Sequence, residues 1–168
     1  LAQNYTSLAT IDDSSCTYQM TYVPDDNFEL MLNDFYFDYG QWPYNGTIFP
    51  SDLVIDDSVR TCLINQMTYL THAGMGIVDW TGIEDFTSVK YFDCGNFIGT
   101  LDLSVLPQLE AFSMYACCYT GDTLIIKSQT LRQFSIDEMY INKIIQDSLP
   151  SIEVFYASYG INIDTLDF

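Results

Sequence analysis

The chain has 168 residues, of which 48% are hydrophobic, and its 23 acidic and five basic residues give a net charge of −18. This apolar content favours a packed core over disorder, but no apolar run is long enough to cross a membrane as a helix. Because Lys and Arg are not clustered, we expect neither nucleic acid nor an anionic membrane surface as partner. The acidity is explained by solubility, with divalent cations or a basic partner as alternatives.

The pattern divides the chain into residues 1–20, which contain Cys16, a cap over 21–66, and repeats over 67–168. Five cysteines occur without a C-x-x-C pair, so neither a zinc ribbon nor a thioredoxin-type site is predicted. An odd number of cysteines leaves at least one thiol free, or paired outside this segment.

A helix is predicted over about 25–36, because Pro24, Asp25 and Asp26 form a favourable helix start. One apolar face follows at helical spacing, formed by Phe28, Met31, Leu32 and Phe35. The rest of the cap is expected to be irregular. Asp12-Asp13 and Asp25-Asp26-Asn27 could hold calcium, but neither follows the D-x-D-x-D-G loop, so helix capping and solvated loops are the favoured explanation.

The main signal is an internal repeat. Segments starting at Met67, Val89, Leu109, Leu131 and Ile152 share apolar residues at positions one and four, at spacings of 20 to 22 residues. We predict an α/β-type solenoid of the leucine-rich-repeat kind, with about five repeats and one short parallel strand in each. Position four is expected to form one buried aromatic column, made of Phe92, Phe112, Phe134 and Phe155.

Three segments carry distinctive motifs: Tyr22-Val-Pro-Asp-Asp-Asn-Phe-Glu29, Asp79-Trp-Thr-Gly-Ile-Glu-Asp-Phe86, and the repeat from Val89 to Ser104. They resemble, in the same order, segments of leucine-rich-repeat surface proteins of Flavobacteria and related marine Bacteroidetes. Residues 4–18 resemble a second exported module of the "ATIDDGSC" type, without that module's earlier cysteine. This second resemblance implies that residues 1–20 are the remnant of a cysteine-containing extracellular module or linker. The resemblance implies an exported protein, located extracellularly or at the cell surface.

In leucine-rich repeats, strand positions three and five face the concave side. Here they carry tyrosines interleaved with small polar and acidic residues, which is typical of a surface that recognises protein or glycan. The alternative is a solvated sheet face without a ligand. The predicted binding residues are Tyr69, Tyr91, Asp93, Ser113, Tyr115, Gln133, Ser135, Asp137, Tyr156 and Tyr159.

Catalysis is not predicted, because His72 is the only histidine and no hydrolase or phosphate-binding motif occurs. Cys117 and Cys118 are explained as small apolar residues at a repeat corner. The sharper alternative is a disulfide between Cys94 and Cys118, since neighbouring parallel strands lie about 4.8 Å apart.

The sequence therefore predicts a non-catalytic extracellular binding or adhesion module. The alternatives are a structural spacer or subunit of a surface assembly, and an accessory domain of a larger secreted enzyme. We also expect further repeats or neighbouring subunits to cover the C-terminal end of the array. Exported proteins of this kind are O-glycosylated at Asp-Ser/Thr-aliphatic words, which the sequence offers at Ser58, Thr123, Ser148 and Thr165. Unmodified turn residues are the alternative.

Overall fold

A computed structural model describes residues 19–38, 55–72, 76–95, 97–115, 120–137, 140–146, 152–157 and 162–167. Its helices are α1 (Asp26–Asp38), α2 (Thr61–Ile64) and short 3₁₀ helices at Ile83–Asp85 and Leu103–Val105. Its strands are β1 (Met20–Tyr22), β2 (Ser58–Arg60), β3 (Tyr69–His72), β4 (Tyr91–Cys94), β5 (Thr100–Asp102), β6 (Ala111–Tyr115), β7 (Thr120–Ile126), β8 (Gln133–Asp137), β9 (Tyr140–Gln146), β10 (Val154–Ala157) and β11 (Asn162–Asp167).

The aligned repeat segments form a first parallel sheet in the strand order β3-β4-β6-β8-β10. Residues that align in the sequence are also partners in this sheet: Phe112 pairs with Phe92 on one side and with Phe134 on the other. The same register extends to Leu70 and to Phe155 at the two outer strands. The predicted repeat solenoid is confirmed in this respect.

A second parallel sheet, in the order β5-β7-β9-β11, is built from the second half of each repeat from Val89 onwards. The prediction of one strand per repeat is therefore wrong from Thr100 onwards. In β7, Leu124 and Ile126 are buried, whereas Thr123 and Ile125, which alternate with them, are half-buried; this is the two-residue alternation of a strand. The chain is a parallel-strand β-solenoid with few helices.

The core lies between the two sheets and continues into the cap as one cluster of buried side chains. The predicted aromatic column forms, with ring centroids 5.5 Å apart for Phe92–Phe112, 5.8 Å for Phe112–Phe134 and 5.7 Å for Phe134–Phe155. The prediction that the whole column is buried is wrong at Phe155, which is 66% exposed. β10 is the outer strand of the described sheet, and the Phe155 ring stacks on Phe134 from that side.

A repeated pattern of backbone hydrogen bonds occurs at position two of each repeat, just before the strands of the first sheet begin. The Lys90 carbonyl accepts hydrogen bonds from the N–H groups of both Glu110 and Ala111, and equivalent pairs recur at each coil. The side chains at position two alternate in charge. Lys90 pairs with Glu110 at 2.9 Å, and Arg132 pairs with Glu153 at 2.7 Å.

The cap consists of the antiparallel pair β1–β2 and α1, and Asp25 joins it to the repeats. Asp25 precedes α1, and its Oδ1 accepts the N–H groups of Asn27 and Phe28 at 2.9 and 3.2 Å. Its Oδ2 accepts the N–H groups of Val78 and Asp79 at 2.8 and 3.0 Å. The carboxylate therefore caps the helix and anchors the segment that enters the repeats.

The loop after this anchor presses against β1. Gly82 has a φ of 98°, and a Cβ atom there would lie 2.6 Å from the Tyr22 carbonyl oxygen and 2.9 Å from Val23 Cγ2. Only glycine satisfies both the left-handed backbone and this close approach. Trp80 and Phe86 then pack on Phe28 of α1, with centroids 5.2 and 5.9 Å away. Residues 22–29 and 79–86 thus contact each other at this junction.

Within the cap, Glu29 connects α1 to the segment before β2. This buried side chain accepts hydrogen bonds from the N–H groups of Asp56 and Asp57, at 3.2 and 3.0 Å. Burial raises the pKa of Glu29 above its ordinary value, and the two N–H bonds oppose that rise. The carboxylate therefore ties α1 to the segment that leads into β2.

Candidate functional site

The outer face of the first sheet carries two rows of side chains, because alternate strand residues point to opposite faces and the phenylalanines face the core. Parallel register brings equivalent residues side by side. One row is Tyr69, Tyr91, Ala111, Gln133 and Val154, and the other is Thr71, Asp93, Ser113, Ser135 and Tyr156.

These rows line a shallow groove of about 300 Å³. Its lining includes Tyr69, Tyr91, Asp93, Ser113, Gln133, Ser135 and Tyr156, all of them among the predicted binding residues. The groove arises from side-chain size: Ala111 and Ser113 on β6 are small. Tyr91 stands beside them on β4, and Tyr156 stands two strands away on β10. We refer to this feature as the first-sheet groove.

The first-sheet groove offers aromatic surface beside polar groups. Tyr91 is 43% exposed and Tyr156 is 55% exposed, so part of each ring is accessible to a ligand. The hydroxyl of Ser113 donates a hydrogen bond to Asp93 Oδ1 over 2.6 Å, which orients the carboxylate between two strands. Among the residues the structure describes, the groove lining includes this one carboxylate and no Lys, Arg or His. The arrangement can stack, accept hydrogen bonds and attract positive charge.

The remaining predicted binding residues lie at or beyond the strand ends. Tyr115 and Asp137 are register partners at the ends of β6 and β8, and Asp137 is half-buried. Tyr159 lies outside the described residues. Ala111, at position three, is not among the predicted binding residues, although its small volume opens the groove. Side-chain size at positions three and five is the signal that would have shown this.

The residues proposed for covalent modification are dispersed. Cys94 is buried in β4, and Cys118, its predicted disulfide partner, lies outside the described residues. Ser58 lies in β2, where its hydroxyl donates to Asp56 Oδ1 at 2.9 Å. Thr123 lies half-buried in β7, and Thr165 lies in β11. Ser148 is outside the described residues.

The structure assigns Asp25 to a different role from calcium binding, since backbone N–H groups occupy both of its oxygens. Asp26 and Asn27 beside it are exposed. In the part of the chain that the structure describes, no three His, Cys, Asp or Glu side chains are grouped closely enough to hold a metal. Asp12 and Asp13 lie outside that part.

No protein-family model matches this chain, and no curated protein matches it. Within the described segments, no helix combines the length and apolar character needed to cross a membrane. Fold and site together define a parallel-strand repeat solenoid with a tyrosine-bearing polar groove on its first sheet.

Proposed function

We propose that this protein is a non-catalytic extracellular binding or adhesion module of the leucine-rich-repeat type, which recognises protein or glycan through the first-sheet groove. The observation that carries the proposal is the groove itself, in which half-exposed tyrosines flank small polar residues and an oriented carboxylate. Tyrosine supplies a large contact area at low entropic cost, together with a polar tip, and it is enriched where proteins bind partners.

The repeat class and the location rest on the sequence. Periods of 20–22 residues with apolar residues at positions one, four and six are typical of leucine-rich repeats. The words that resemble flavobacterial surface proteins favour export. We assign no catalysis because the chain has a single histidine, and the described groove lining includes neither histidine nor lysine to activate the Ser113 hydroxyl, which is hydrogen-bonded to Asp93.

The test is to screen the purified chain against peptide and oligosaccharide arrays and to repeat each positive with two variants. Tyr91→Ala removes a tyrosine from the groove, and Tyr22→Ala removes a similarly exposed tyrosine from β1, outside it. Loss of an interface tyrosine costs about 2 kcal/mol, so Tyr91→Ala should weaken binding roughly 30-fold. Tyr22→Ala should leave it unchanged. Equal effects of the two variants would refute the assignment of the groove.

A second candidate, a structural subunit, is favoured by one observation. Val154 and Phe155 on the outer strand β10 are 51% and 66% exposed, so another unit stacked there would bury apolar surface. If the chain assembles in this way, sedimentation velocity should show larger species at high concentration, and Phe155→Asp should abolish them. A monomer at every concentration would remove this candidate.

A further inference from the structure

The first-sheet groove lies in a strongly negative molecule. The chain has 23 acidic and five basic residues, and two of those five, Lys90 and Arg132, are already paired with Glu110 and Glu153 at the sheet edge. The negative field is therefore not balanced beside the groove. Such a field raises the local concentration of cations and of positively charged ligands, and repels anions.

Within the groove, the aromatic and acidic groups are placed together. Tyr91 and Asp93 are two residues apart on β4 and face the same side, so their Cα atoms are about 6.6 Å apart. Tyr69 stands beside Tyr91 on the neighbouring strand, about 4.8 Å away. Asp137 lies beyond the groove lining, at the end of β8, and follows Ser135 on the same face of that strand.

We infer that the first-sheet groove binds an extended basic segment of a partner protein, with a Lys or Arg side chain lying over Tyr91 and its charged end at Asp93. This inference rests on the proposed function and specifies its ligand. The long stem of Arg or Lys can cover an aromatic ring while the cation reaches a carboxylate nearby. Ser113 holds the carboxylate through Oδ1, so it is oriented before the ligand arrives.

A glycan would use less of this surface. Sulfated and uronic-acid glycans are anionic, and both the net charge of −18 and the groove carboxylate repel them. A neutral glycan could stack on the tyrosines but would gain nothing from the surrounding negative field. Five strands span about 19 Å, which matches about six residues of an extended peptide.

The experiment measures binding of fluorescein-labelled hexapeptides by anisotropy. The first probe alternates Arg and Ser, and its counterparts carry Gln or Glu in place of every Arg; a neutral glucose hexasaccharide serves as competitor. We expect the Arg peptide to bind, the Gln and Glu peptides to bind at least tenfold more weakly, and salt to weaken the binding. An Arg peptide with a Kd weaker than about 1 mM would overturn the inference.

Two matched variants locate the interaction. Asp93→Asn removes one negative charge from the groove and keeps an acceptor for Ser113, whereas Asp26→Asn removes one from the exposed start of α1. We expect a loss of about tenfold for Asp93→Asn and less than twofold for Asp26→Asn. Equal losses would mean that only the general field matters, which contradicts the inference. Thermal melting of both variants checks that the fold is retained.

The results also separate this inference from the proposed function. If the hexasaccharide binds and Tyr91→Ala abolishes that binding, while the Arg peptide does not bind, the groove is a glycan site. The basic-segment inference then fails and the proposed function stands. If no ligand found on any array responds to Tyr91→Ala, both fail.

Discussion

Replacing Asp25 by alanine would break two connections at once, because one carboxylate both caps α1 and holds the backbone at Val78 and Asp79. Loss of an N-cap costs about 1 kcal/mol. Each hydrogen bond to a charged group is worth at least about 1.5 kcal/mol, and two such N–H groups would be left without their acceptor. We therefore expect Asp25→Ala to lower the free energy of unfolding by about 4 kcal/mol.

Urea denaturation at pH 7, followed by circular dichroism, measures this loss, with Asp26→Ala as the matched control. Asp26 is exposed in the first turn of α1, so its removal should cost less than about 1 kcal/mol. Similar losses for the two variants would refute the assignment of Asp25 as the anchor between cap and repeats.

The pH dependence provides an independent check. Burial opposes ionisation of Asp25, but its four backbone N–H bonds outweigh burial and hold its pKa below the ordinary value of 3.8. A carboxyl group with a lowered pKa contributes stability that is present above its unfolded value and lost as the pH falls through its folded value. The gap between wild type and Asp25→Ala should therefore narrow below about pH 3.8. Glu29 is present in both proteins, so its opposite shift cancels in this difference. A gap that stayed constant into strong acid would contradict the argument.

Two further predictions concern packing. Phe112→Ala should lower the free energy of unfolding by about 3–5 kcal/mol because it leaves a buried cavity. Phe155 lies in the same column but is 66% exposed, so Phe155→Ala should cost about 1 kcal/mol. Equal losses in urea denaturation would refute the stacking. Gly82→Ala should lower the free energy of unfolding by about 3 kcal/mol, because its Cβ would lie 2.6 Å from the Tyr22 carbonyl oxygen. Gly76 also has a positive φ, but a Cβ atom there would have no atom within 4 Å. Gly76→Ala should therefore cost about 1 kcal/mol. Thermal melts of the two variants measure this difference. If Gly82→Ala lost no more stability than Gly76→Ala, β1 would have to move to accommodate the added Cβ atom.

The first sheet could be predicted because its signal is local and repeated. Phe at position four recurs at nearly constant spacing, and stacking equal units puts equal residues in register. The α1 helix could also be predicted, from its apolar spacing and from the proline at its start. The predicted helix covers about 25–36, and the observed helix spans Asp26–Asp38. The rows of the groove then follow from alternation along each strand.

Other features depend on partners that are distant in the sequence. The second sheet was missed because its apolar residues are irregularly spaced between repeats and only pairing with neighbouring coils defines the strands. The position of Asp25 at the helix start predicts capping, but its second pair of donors, Val78 and Asp79, cannot be predicted because it lies more than 50 residues away. The exposure of Phe155 could not be read from a pattern that treats every repeat alike.

The alternating charges at position two restrict how this array can change in length. Excision of the coil that carries Glu110 would place Lys90 beside Arg132, and like charges on adjacent strands repel. Loss of two coils together would place Lys90 beside Glu153 and keep opposite charges in contact. Both pairs are exposed and therefore screened by solvent, so the preference is mild. A single coil cannot be duplicated or lost without placing like charges side by side. A pair of coils can, and its length is the 42 residues that separate Lys90 from Arg132.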